Sequence, residues 1–470
     1  MTSSLLRYDL LRTRAGRFLL RSPAFPIALQ AMALAGVITL IGVGVGIGAD
    51  RPAVELMTLR KTNLSTLVIW GLWWPGMIAV AVTFGRAWCT VCPMELVNRV
   101  GNTLARTVGW PTAHLSRFLR TGWMIVLIYL ALQLLVAGLS IHRVPHLTAV
   151  FLMVLLGGAF ATGLVFREQR SFCKAFCPAG ALLSVYGRST PFQLEMRDPA
   201  VCARCLTKDC VRAEHRHRFD RRSCPSLLRP FDRTASDGCV LCLQCAKVCP
   251  HDNVGVGLVA LRAPIRRRVL LRPFEAAFVM VALGFVSHEV VGEVAWLEAG
   301  FHFVPTAMSA YVPFVSFGWL EALWFLALFP MAVWVVIAAF AQVLGHRQGL
   351  RSVLLAAATG AAPVVAIAHL AKAAAKVAAW GGFLPLALRD PYGAGTAQRL
   401  GDHALAYPPE LLSLRVVGWA VLPVLALVAW RAWRCRRELA SDAVPGVAAG
   451  ALGASLLFST VLTIWSWSGP

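Results

Sequence analysis

Cys239, Cys242, Cys245 and Cys249-Pro250 are separated by two, two and three residues. With this spacing three close thiolates hold one [4Fe–4S] cluster while the fourth ligates a second. A zinc site would instead use tetrahedral Cys-x2-Cys pairs without the proline-terminated run. A second set lies just upstream, with Cys202, Cys205 and Cys210 followed after thirteen residues by Cys224-Pro225. The gap carries Arg212, His215, Arg216, His217, Arg218, Arg221 and Arg222 and reads as a basic insertion. If the usual crossover holds, Cys202, Cys205, Cys210 and Cys249 bind one cluster, and Cys239, Cys242, Cys245 and Cys224 the other. One cluster with a degenerate second motif is the alternative. Eight cysteines fill two sites, so His215, His217 and His251 are expected as solvated loop residues.

Four further cysteines form an internal repeat. Gly85-Arg86-Ala87-Trp88-Cys89-Thr90-Val91-Cys92-Pro93 matches Gln169-Arg170-Ser171-Phe172-Cys173-Lys174-Ala175-Phe176-Cys177-Pro178. Each copy has Arg three residues before the first Cys, an aromatic residue just before it, and Cys-Pro at its end. Cys89, Cys92, Cys173 and Cys177 are therefore the candidate ligands of a third [4Fe–4S] cluster. A pair of redox-active dithiols, or inert cysteines, are the alternatives; reactivity follows environment rather than spacing. Cys435 sits in a basic run, has no partner motif and is treated as incidental.

The elements that must position these thiols are apolar. Of 470 residues, 58% are hydrophobic and 14% charged. A soluble domain carries about 25% charged residues, so a soluble enzyme is excluded. A disulfide framework belongs to short secreted chains, so thirteen cysteines here point to metal or redox ligation. About twenty apolar residues cross a bilayer. Nine segments qualify: 25–49, 65–85, 122–140, 147–166, 274–296, 316–343, 352–380, 411–430 and 444–467. With the N-terminus inside, the inner segments carry 36 Lys and Arg and the outer ones six. Positive charge marks the cytoplasmic side, which gives an N-in, C-out topology with every cysteine motif at or inside that face. The fold class expected is an all-α integral membrane protein of about nine transmembrane helices with an inserted cytoplasmic two-cluster domain. The divisions are 1–23, a basic cytoplasmic segment; 24–166, two hairpins carrying the membrane cysteines; 167–273, the two-cluster domain; and 274–470, a bundle of about five helices. The net charge of +22 follows the loops rather than a nucleic-acid surface, so no nucleic-acid partner is expected.

Over about residues 25–260 the chain resembles the membrane polyferredoxins of denitrification and nitrate respiration. These are the nitrous-oxide-reductase regulator and the quinol-dehydrogenase subunit of periplasmic nitrate reductase; cytochrome-oxidase assembly ferredoxins are similar. Their pattern is two membrane Cys-x3-Cys-Pro motifs followed by a cytoplasmic two-cluster ferredoxin. Cys173 and Cys177 match it, and Cys89 and Cys92 match with one residue fewer between them. The resemblance implies a multi-pass protein of the bacterial cytoplasmic membrane that moves electrons between the quinone pool or a cytoplasmic donor and a membrane or periplasmic redox subunit. Segment 167–273 keeps a net charge of +11, to which an acidic soluble carrier such as a ferredoxin or flavodoxin could dock. Two other classes stay open: a reductase serving metal-centre assembly, and a cluster-energised ion or substrate transporter.

Polar groups in hydrocarbon are costly and call for a role. The fifth segment carries His288, Glu289 and Glu293; the seventh carries His369, Lys372 and Lys376 on one helical face. Counting about 1.5 Å per residue places His288 and His369 at similar depth in the outer half. They are candidates for axial ligands of a b-type haem or for a quinone headgroup. The alternative is an internal ion-pair network between the glutamates and lysines. His302 is expected to face solvent. Gly42, Gly44, Gly46 and Gly48 lack the strand and helix of a nucleotide loop. Small residues four apart, Gly42 with Gly46 and Gly446 with Gly450, are read as close helix packing.

Overall fold

The computed structural model describes residues 6–48, 52–232, 238–259, 270–434 and 443–468. Helix dominates. Eight described helices are long and apolar enough to cross a membrane: Ile27–Gly44, Leu64–Thr107, Pro145–Val165, Pro273–Val291, Phe317–Val343, Leu350–Arg389, Leu414–Arg431 and Val444–Trp467. Trp123–Leu139, the ninth expected segment, is apolar and helical over 17 residues. This is the make-up of a multi-pass membrane protein. The chain divides into two units, residues 1–37, 80–120 and 155–268 in one and 38–79, 121–154 and 269–470 in the other.

The first unit holds all twelve described cysteines. Its framework includes a three-stranded antiparallel sheet, which departs from the all-α expectation. The strands are β1 (Leu6–Asp9), β2 (Phe192–Met196) and β3 (Val254–Val259), in the order β1-β3-β2. Phe192 pairs with Leu258 and Met196 with Val254, while Leu6 faces Val259. Strands this short leave little alternation to read, and the partners lie far apart in sequence. β1 packs so closely on β3 that a Cβ on Gly257 would stand 1.8 Å from the Tyr8 carbonyl oxygen. The core beneath contains Leu11, Leu194, Leu243, Ala246, Val254 and Val256 together with Cys245. The 1–23 segment, expected as a basic stretch apart from the cysteine domain, thus contributes a strand to it. Its charges are used in pairing. Arg21 bonds Asp252, and Arg197 reaches Asp9 at 2.9 Å. Lys247, between Cys245 and Cys249, donates to the Ser22 and Phe25 carbonyls at 2.7 and 2.6 Å.

The second unit is a helical bundle. Gly450 and Gly360 bring Leu350–Trp380 and Val444–Trp467 together; a Cβ at either would approach a facing carbonyl oxygen within 2.0 Å. Gly446 shares this packing, against Ala356, whereas Gly42 faces open space. Two helices widen into π-turns, Leu67–Trp73 before Pro75 and Trp324–Leu328 before Pro330. Proline has no N–H and its ring crowds the carbonyl four residues back, and the wider turn relieves that clash.

Candidate functional site

The two membrane motifs fold alike. Cys89 lies in the short helix Trp88–Val91 and Cys173 in Ser171–Ala175. Cys92 and Cys177 are the N-cap residues of Pro93–Thr107 and Pro178–Tyr186, each with proline in the first turn. Proline is suited to that position because its fixed φ is already helical and its missing N–H would have no partner there. The Gly180 N–H donates to Cys177 Sγ at 3.4 Å. The missing residue between Cys89 and Cys92 therefore leaves the helix–cap arrangement intact. Asn98 Nδ2 ties the two copies together by donating to Ser171 Oγ at 3.1 Å and the Ala159 carbonyl at 2.9 Å. Burial first, then the thiolates of Cys173 and Cys89, push the Cys177 thiol up to about 12. Cys92 stands within electrostatic reach of Cys89, Cys173 and Cys177.

The other eight cysteines lie near one another in the same unit. Burial, then Cys249, Cys202 and Cys205, push the Cys210 thiol up to about 12. Asn253 joins the distant members of this set, its Nδ2 donating to Cys202 Sγ at 3.2 Å and its backbone N–H to Cys249 Sγ at 3.5 Å. Cys202, Cys205, Cys210 and Cys249 line one cleft, together with Cys245. Burial and then Cys224 push Cys242 up to about 11, and Cys245 feels Cys242, Cys239, Cys224 and also Cys210. The basic insertion closes on itself: the Cys224 N–H donates to the Cys210 carbonyl at 2.9 Å, so the long gap costs no reach. Among the described residues no three cysteine sulfurs lie within 4.8 Å of one another. A single tetrahedral zinc with bonds of about 2.3 Å would hold them about 3.8 Å apart.

Backbone strain is concentrated here. Nine described non-glycine residues have left-handed φ, and seven of them lie within three residues of a cysteine: Arg170, Lys208, Arg221, Leu227, Leu241, Leu243 and Asp252. Such conformations cost about 1–3 kcal/mol each and gather where a ligand must be gripped. Leu241 and Leu243, φ 57° and 56°, turn the chain between successive cysteines of the tightest motif.

No family model matches the chain. Two uncharacterized proteins of Methanocaldococcus jannaschii are similar to it. One is 27% identical over 181 residues, covering 37% of this chain and 65% of that protein. The other is 22% identical over 190 residues, covering 37% of this chain and 74% of that protein. The chain thus spans a little under two thirds of the first relative. No solved structure matches.

The arginine of each repeat, noted in the sequence only as a shared letter, has a position that matters. Arg170 is 5% exposed, and its Nη1 donates to Ser226 Oγ at 2.8 Å. Its Nε and Nη2 are buried without hydrogen-bond partners, as is Arg86 Nε. Burial opposes the Arg170 charge, yet Cys173, Cys89, Glu95 and Cys242 hold it charged. Arg170 therefore lies within electrostatic reach of Cys89 and Cys173 of the repeat and of Cys242. Unpaired buried cation donors among thiols fit an anionic group held there, and a four-thiolate cluster is one. Thr90 Oγ1, beside Cys89, donates to the Val240 carbonyl and links the same two quartets.

The histidines of the helical bundle meet different surroundings. His369 packs against Trp74 and Phe285. His288 stacks on Phe325, at 4.5 Å and 8°, and joins Glu321 and His302. His302 is 20% exposed and 2.8 Å from Glu321, not solvent-facing as expected. Lys372 pairs with Glu293 at 2.5 Å and with Glu289 at 3.5 Å, the internal ion-pair network the sequence left as an alternative. Lys376 lies over the Trp380 ring. Cys435 lies outside the described residues.

Proposed function

We propose that this chain is a membrane-bound iron–sulfur electron-transfer protein, passing electrons between a cytoplasmic carrier or the quinone pool and a membrane or periplasmic redox partner. The reading rests on one observation above all: Cys249 shares Asn253 with Cys202, 47 residues earlier, and stands within electrostatic reach of Cys210, as ferredoxin spacing leads one to expect. Cys202, Cys205, Cys210 and Cys249 would hold one [4Fe–4S] cluster, Cys224, Cys239, Cys242 and Cys245 a second, and Cys89, Cys92, Cys173 and Cys177 a third. When bound, such clusters supply one-electron storage whose potential follows hydrogen bonds, charge and burial. The chain provides all three controls. N–H groups of Asn253, Lys208 and Gly180 donate to sulfurs, Arg170 and Arg86 add positive charge, and the quartet of Cys89, Cys92, Cys173 and Cys177 lies largely away from water. The charge asymmetry of the loops supports a cytoplasmic side for the clusters, where the +11 of segment 167–273 suits an acidic carrier.

Anaerobic iron and sulfide analysis of the purified full chain, with electron paramagnetic resonance, tests this. About twelve irons per chain are expected for three four-iron sites. About eight would leave Cys89, Cys92, Cys173 and Cys177 as dithiols, and fewer than about four would overturn the reading.

A further inference from the structure

Outside the cysteine sites, three side chains that the sequence does not group come together in the bundle. His288 belongs to Pro273–Val291, His302 follows Ala295–Phe301, and Glu321 belongs to Phe317–Leu323. One ligand atom of each lies within 4.8 Å of the others. The three side chains are 22%, 20% and 18% exposed, and aromatic rings enclose them: Phe325 stacks on His288, while Phe317 stands edge-on to His302 at 5.6 Å. Glu321 immediately precedes the region of the π-turn Trp324–Leu328, and such turns recur at functional sites.

The internal geometry is not that of a hydrogen-bonded triad. His302 Nε2 is 2.8 Å from Glu321 Oε1, yet it is buried without an aligned hydrogen bond. His288 Nε2 is 3.8 Å from the same oxygen, beyond hydrogen-bond length, and His288 Nδ1 is buried with no partner. A hydrogen bond aims an N–H at its acceptor. Ligands of one cation instead aim their lone pairs at a shared point beside them, and close contacts without donor alignment are what that leaves. Two imidazoles and a carboxylate match the ligand set of three-ligand zinc sites, which keep a fourth position open.

We propose that His288, His302 and Glu321 bind a single divalent transition-metal ion of the zinc class, with a fourth position left for water or a substrate. This site is independent of the iron–sulfur reading and would stand if that reading failed.

The test uses the full chain in detergent with its cysteine sites reconstituted with iron, equilibrated with Zn²⁺, washed and analysed for metal. Wild type is expected to retain one zinc that Glu321→Gln and His302→Gln each lose, the affinity falling by more than the roughly 10–100-fold that loss of outer-ligand support costs. Equal zinc in wild type and both variants, or none in wild type, overturns the proposal. A second readout needs no variant. Cu²⁺ bound to wild type is expected to show resonance splitting from two imidazole nitrogens, and its absence also overturns the assignment. A helical circular dichroism spectrum and a gel-filtration volume unchanged in the variants confirm that they are folded; if these change, the copper spectrum of wild type decides.

Discussion

Glu95 and Arg222 form a buried ion pair, Oε1 to Nη2 3.2 Å, with side chains 5% and 4% exposed. Glu95 follows Cys92 by three residues and Arg222 precedes Cys224 by two. The pair therefore locks the helix that follows Cys92 to the stretch of chain that carries Cys224. Arg99 at 2.5 Å and Gln30 at 2.7 Å complete the shell around the carboxylate. Removing one partner of a buried pair costs about 3–5 kcal/mol, because the other charge is left unpaired. Glu95→Gln is expected to lower thermal stability by that order and to lose iron from the Cys224 quartet first. Iron content unchanged from wild type would show that the pair does not hold this ligand.

Arg170 predicts a potential. A buried positive charge beside a cluster stabilises its more negative, reduced form and so raises its midpoint potential. Removing it disfavours the more negative, reduced state. Arg170→Gln is expected to lower the midpoint potentials of two clusters together, measured by redox titration. A shift confined to one cluster would sink the assignment of Arg170 to both quartets.

Cys205 differs from its neighbours. The Lys208 N–H, 3.4 Å from Sγ, holds its thiol below the ordinary value, whereas burial pushes Cys202, Cys210 and Cys242 up. A lowered thiol keeps more thiolate near neutral pH, and thiolate is the species that alkylates. In iron-depleted protein Cys205 is expected to react with iodoacetamide before Cys202, Cys210 and Cys242, its rate rising at lower pH than theirs. Peptide mass spectrometry reads the order, and faster labelling of Cys210 would contradict it.

Lys372 balances two carboxylates, Glu289 and Glu293. Lys372→Met leaves both without their cation, and the melting temperature in detergent is expected to fall while iron content holds. Replacing Glu289 and Glu293 by Gln in the same chain should recover part of that loss. No recovery would mean that Lys372 acts through contacts other than these.

The cysteine motifs stand out in the sequence because ligand spacing is local and chemically narrow, and the structure gathers all twelve described cysteines in one unit. The apolar helices were legible because twenty apolar residues have few other uses in a chain. Gly446 and Gly450 also read correctly, since small residues four apart share one helix face, but Gly42 obeyed the same pattern and faces open space. What the sequence concealed depends on contacts between distant segments. β1 finds its partner only in β3, Glu95 finds Arg222, and His302 meets Glu321 only once three helices are in place. The one local clue to Arg170 was its recurrence at the same offset in both repeats.

The pairing of Leu6–Asp9 with Val254–Val259 also sets an order of events during synthesis. Four apolar helices lie between the two strands in sequence. β1 must therefore wait, unpaired, until those helices have entered the bilayer and β3 has left the ribosome. Closing the sheet is a late step, and the core that contains Cys245 closes with it. Anything that must reach Cys245 from outside therefore has a time window, which opens when Cys249 emerges and narrows when the earliest strand docks.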